Sequence, residues 1–105
     1  MTSENHKQVC YQLNDLYILK NADYGDSFHQ SWKDYGLIMA AIRIGDKYNR
    51  LKNLAAGKNV PNIAEETVRD TLMDMANYAI LTVMELDAES KPKPMRMGGN
   101  TRAER

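Results

Sequence analysis

The sequence predicts an all-α protein: a small helical bundle with a long C-terminal helix, completed by oligomerisation. Three observations lead there. Apolar residues recur at three- and four-residue steps in three separate stretches. No segment alternates apolar and polar residues for long enough to suggest a strand. The last helical stretch, residues 62–89, would reach about 40 Å. That is long for 105 residues and 12.0 kDa, so it is expected to pack against a second subunit.

The first helix is expected over residues 4–20. Val9, Leu13, Leu16 and Leu19 or Lys20 form one stripe with Tyr17 beside it, and Cys10 next to that stripe reads as a buried packing residue. Residues 21–36, NADYGDSFHQSWKDYG, read as a loop punctuated by Gly25 and Gly36. Tyr24, Phe28, Trp32 and Tyr35 are half of the chain's eight aromatic residues. A loop of that composition either plugs the end of the bundle or receives a flat ligand.

The next helix is expected over residues 36–54. Leu37, Ala41, Ile44, Tyr48 and Leu51 form its apolar stripe, while Arg43, Asp46, Lys47 and Arg50 occupy another face. Gly57, Lys58, Asn59 and Pro61 mark a loop. Asn62 can cap the last helix, with Glu65 in the capping-box position. Its stripe is Val68, Leu72, Met75, Ala79, Val83 and Leu86. Residues 1–89 are expected to form the helical domain and residues 90–105 a disordered basic tail.

Fourteen basic and fourteen acidic side chains give a net charge of zero, which argues against a nucleic-acid binder of the usual basic kind. The tail carries +4 and the body −4. Cys10 is the one cysteine, so no internal disulfide forms and a reducing compartment is expected. The polar start of the chain has no signal-peptide core, and no apolar run approaches the ~20 residues of a membrane span. A cytoplasmic protein with no membrane partner is expected.

The residues able to carry chemistry are charged columns. Glu66, Asp70 and Asp74 recur every four residues on the last helix, and Asn77 continues their face. Like charges so placed repel, so they are solvated, paired with cations or holding a metal. Arg43, Lys47 and Arg50 on the preceding helix supply cations, interleaved with Asp46. Two arrangements satisfy these charges. In one, the columns form an inter-helix salt-bridge network in a purely structural oligomer. In the other, Asp46, Asp70 and Asp74, with Glu66, hold Mg²⁺ while Arg43, Lys47 and Arg50 meet phosphates. A second cluster, KNADYGDSF, offers Lys20 for phosphate, Asp23 for a ribose or base edge and Tyr24 for stacking. Phe28 and Trp32 are further stacking candidates. His29 reads as a surface or packing residue.

KNADYGDSF, RIGDKYNRL and EETVRDTLMDMANYAI together resemble the sequence blocks of the nucleotide modification associated domain type 1 family. The resemblance covers residues 20–80. It implies a small all-helical protein of the kind frequent in phages and prophages, associated with nucleotide and DNA-modification genes. A remoter similarity is to the all-α nucleoside triphosphate pyrophosphohydrolases of the MazG and dimeric dUTPase kind. Those enzymes bind Mg²⁺ around a triphosphate through E-x-x-E on one helix and E-x-x-D on the next. Asp70 and Asp74 lie near the second block. Where the first block would place two glutamates, this chain has Arg43 and Asp46 with Lys47 and Arg50. The resulting expectation is a homo-oligomer that binds, and sequesters without hydrolysis, a phosphorylated nucleotide in a cleft between the last two helices. Mg²⁺-dependent pyrophosphohydrolysis is the alternative activity.

Overall fold

The computed structural model describes residues 1–24, 26–57 and 65–90, with backbone alone at Asp23, Tyr24, Glu65 and Glu66. The expected Asn62 cap and the basic tail beyond Ser90 lie outside the described residues. Among the described residues four helices follow one another: α1 (Ser3–Tyr24), α2 (Ser27–Tyr35), α3 (Leu37–Ala55) and α4 (Glu65–Ser90). The fold is an all-α small bundle. No helix among the described residues is long and apolar enough to cross a membrane.

The expected loop over residues 21–36 is not a loop. Its first residues extend α1, and residues 27–35 form a helix of their own. Phe28, Trp32 and Tyr35 step by four and three, so the helical signal was present but short. Gly36 ends α2 and opens α3. Its N–H donates to the Trp32 carbonyl at 2.8 Å. Its backbone sits at φ 73° and ψ −154°, a region essentially reserved for glycine. The chain turns there within a single residue.

The turn sets which face of α3 is inward. Met39, Ala40 and Leu54 are buried, and Arg43, Ile44, Lys47 and Leu51 are half-buried. Leu37 and Tyr48, expected in the core, are exposed. Trp32, Met39 and Ala40 form the core with Phe28 packed against them. Ala40 is fully buried; a methyl side chain lets neighbouring atoms approach the helix closely.

α4 departs further from its expected orientation. Its buried residues are Thr71, Asn77 and Thr82, whereas Leu72, Val83 and Leu86 of the apolar stripe are 46%, 54% and 43% exposed. Both threonines return their hydroxyls to the helix. Thr71 Oγ1 donates to the Thr67 carbonyl at 3.0 Å and Thr82 Oγ1 to the Tyr78 carbonyl at 2.7 Å. These bonds satisfy the buried hydroxyls without a partner on another helix.

α1 is lightly packed. Leu13 and Leu16 are half-buried, but Val9 and Leu19 are exposed. Cys10 is exposed too, not buried as expected, because residues 1–10 lie wholly at the surface. One groove between α1 and α4 takes Gln12, Asp15, Leu16, Leu19 and Lys20 from α1.

Candidate functional site

Ion pairing ties α1, α3 and α4 together. Asp74 of α4 receives Lys47 of α3 at 3.0 Å on Oδ2 and Lys20 of α1 at 3.9 Å on Oδ1. The carboxylate is about a quarter exposed. One carboxylate therefore bridges two lysines from two other helices and leaves the trio with a net charge of +1. The pairing with Lys47 crosses the α3–α4 boundary, so the expected gap between those helices is bridged. Open space lies beside that contact, in two grooves.

The first groove, about 660 Å³, is walled by α2, α3 and α4. It presents Arg43, Lys47 and Arg50 as cations, Asp46 as the one acid, and Tyr35 and Tyr78 as rings, over Ile38, Met39 and Ile42. Expected phosphate contacts Arg43, Lys47 and Arg50 thus share one wall. Their i, i+4 and i+7 spacing places them there once α3 is helical.

The second groove, about 410 Å³, draws residues from all four helices. Lys20 and Asn21 come from the end of α1, and Phe28 and His29 from α2. Arg43 enters from α3, and Asn77, Tyr78 and Glu85 from α4. Phe28 and Tyr78 stack with ring centroids 6.1 Å apart and planes at 26°, an offset geometry favoured by ring quadrupoles. With a proton on Nδ1, His29 donates to Glu85, both carboxylate oxygens lying at 2.9 Å. His29 was expected to be a surface or packing residue; its side chain is 41% exposed and has a polar partner on the groove wall. Arg43 and Tyr78 belong to both grooves.

Asn77 is the most informative residue here. It is 7% exposed, lines the second groove, and its amide makes no hydrogen bond among the described residues. A buried amide left unpaired costs roughly 1–3 kcal/mol. An amide offers donors and an acceptor side by side, suited to the edge of a base. Sequence reading placed Asn77 on the acidic face of α4 but could not tell that it was buried.

Other expectations are corrected. Trp32 is 5% exposed in the core, and its Nε1–H donates to the Glu89 carboxylate. Its ring is covered by Met39, Ala40 and Phe28 and has no free face to offer a base. Asp46, Asp70 and Asp74 do not converge as a metal set. Asp46 lines the first groove, whereas Asp70 and Asp74 line a separate one with α1. The cause is that Asp46 sits on the side of α3 facing α2, whereas Asp70 and Asp74 sit on the side of α4 facing α1, where lysines hold Asp74. Among the described residues, no group of three His, Cys, Asp or Glu side chains could hold a metal ion. Asp23 and Tyr24 end α1 and Glu66 lies at the start of α4; the side chains of all three lie outside the described residues.

No curated protein and no solved structure gives a significant match to this chain. The profile of one protein family does match, over residues 20–86. That span runs from Lys20 to Leu86 and takes in Phe28, Arg43, Lys47, Asp74 and Asn77. The chain belongs to the nucleotide modification associated domain 1 family.

Proposed function

We propose that the protein binds a phosphorylated nucleotide, with its base beside Asn77 and the Phe28–Tyr78 stack and its phosphates on Arg43 and Lys20. The observation that carries this reading is the Asn77 amide, buried and without a hydrogen bond among the described residues, at the wall of a groove that also holds cations and stacked rings. A base edge would satisfy the amide, and a phosphate would take charge-assisted hydrogen bonds from Arg43. His29, Glu85 and Asp26 supply groups for ribose hydroxyls. Family membership adds a setting of nucleotide chemistry.

Capture without turnover fits the charges better than hydrolysis. Lys47 occupies Asp74, and among the described residues the acids do not gather around one point. Mg²⁺ therefore enters this reading only as a companion of the ligand's phosphates, bound largely by phosphate and water oxygens. We read the MazG-like pattern around Asp70 and Asp74 as kinship in nucleotide binding. Nucleotide sequestration by a phage-type protein is the role that suits such a site.

Calorimetric titration with nucleoside mono-, di- and triphosphates, with and without Mg²⁺, tests this. One or more nucleotides should bind and be recovered intact. Arg43→Ala should weaken that binding by roughly 10- to 100-fold, the value of a charged hydrogen-bonding contact. Steady release of pyrophosphate would establish hydrolysis instead. Absence of binding to every nucleotide in a folded sample would overturn the proposal.

The subunit arrangement is part of the reading. Leu72, Ala76, Ala79, Val83 and Leu86 step by four, three, four and three, the spacing of a helix seam. Arg69 bounds this uncharged stripe at one end and Asp87 at the other, both exposed. An antiparallel second copy would bring opposite charges together at each end. We therefore assign this face to a homodimer. Light scattering should give twice the chain mass, and Val83→Glu should give the single-chain mass. A monomeric parent protein at micromolar concentration would refute the assignment.

A further inference from the structure

We propose that the two grooves are halves of one bipartite site, built for a dinucleotide rather than a mononucleotide. This rests on the nucleotide reading above. Arg43 and Tyr78 line both grooves, so the two spaces are neighbours that share one cation and one ring. Their volumes, about 410 and 660 Å³, each fall in the range of a small-molecule site. One nucleotide at the Asn77 side leaves the larger groove empty.

The larger groove repeats the chemistry needed for a second nucleotide. Tyr35 is 70% exposed and presents a ring where a second base can stack. Arg50 provides a cation beyond Arg43, Lys47 being held on Asp74, and Asp46 provides an acceptor for a sugar hydroxyl. Ile38 and Ile42 are 63% and 57% exposed and form an apolar floor. Arg43 lies between the halves, where the phosphate joining two nucleosides would sit. A guanidinium fork can hold two oxygens of one phosphate at once. Acids are present in both halves: Asp46 in the larger, Asp26 and Glu85 in the smaller. They disfavour a long triphosphate chain in either half, whereas a single linking phosphate at Arg43 stays clear of them. This charge layout favours two sugars and two bases over one base with three phosphates.

The test is calorimetric titration of the full chain with the four deoxynucleoside 5′-monophosphates, the corresponding triphosphates, and all 5′-phosphorylated deoxydinucleotides. At least one dinucleotide should bind about 30-fold more tightly than either of its component mononucleotides, consistent with one further stacked base. It should bind at one molecule per chain. Tyr35→Ala and Arg50→Ala should each shrink that dinucleotide-to-mononucleotide ratio to below about three, with far-UV circular dichroism confirming the fold. A mononucleotide that binds as tightly as every dinucleotide would overturn the bipartite site while leaving nucleotide binding intact. So would two mononucleotides binding independently with no gain on linking. Binding of neither class would overturn this inference and the reading it rests on together.

Discussion

Replacing Asn77 with leucine is expected to stabilise the ligand-free protein and to disable it as a nucleotide binder. The amide is buried and makes no hydrogen bond among the described residues. Removing it relieves a desolvated polar group, and leucine of similar size adds apolar contact beside Tyr78 and Leu81. The gain should be about 1 kcal/mol, toward the low end of the cost of an unpaired amide. A urea titration reads it as a higher midpoint at unchanged slope. Nucleotide affinity should fall by roughly 10- to 100-fold, the value of a paired base edge. Opposite signs in the two measurements identify a residue kept for its ligand rather than for the fold. A destabilised Asn77→Leu protein would show that the amide is structural. Unchanged affinity would remove Asn77 from the site.

Trp32→Ala is expected to give the largest loss of stability of any single substitution. Trp32 is the biggest of the few buried apolar side chains, and Met39, Ala40 and Phe28 pack around it. Truncation removes the ring and opens a cavity, at a cost of about 3–5 kcal/mol. Small domains have only about 5–15 kcal/mol in total. The melting temperature should drop by roughly 15–30 °C, read by circular dichroism. Trp32→Phe should lose much less. The ring remains, and Glu89 is exposed and can be hydrated once the indole N–H is gone. A loss below about 1 kcal/mol for the alanine variant would show that the indole is not core. Intact stability with lost nucleotide binding would return Trp32 to the ligand.

Trp32 illustrates how sequence and structure divide the information. Its spacing from Phe28 and Tyr35 is helical, yet the short segment between Gly25 and Gly36 resembles a loop in composition. Nine residues are too few for periodicity to outweigh two glycines. The charged residues are a different case. Arg43, Lys47 and Arg50 share one wall because helix geometry requires it. The acids fell short of a common site because Asp46 on α3 lines the groove with α2 while Asp70 and Asp74 on α4 line the groove with α1, and no local spacing relates one helix to the other.

What the sequence determined by itself was local: the three longer helices to within a few residues, the residues that share each helix face, and the cationic column of α3. Tertiary structure decided which face looks inward. Gly36 sends α3 off at an angle that buries Ala40 and leaves Leu37 outside. Asp74, held by Lys20 and Lys47, turns the polar side of α4 toward the bundle, so Thr71, Asn77 and Thr82 are buried while Leu72 and Val83 are exposed. A helical period records which residues travel together around an axis. The rotation of that axis depends on turns and ion pairs made far along the chain, and no local pattern encodes them.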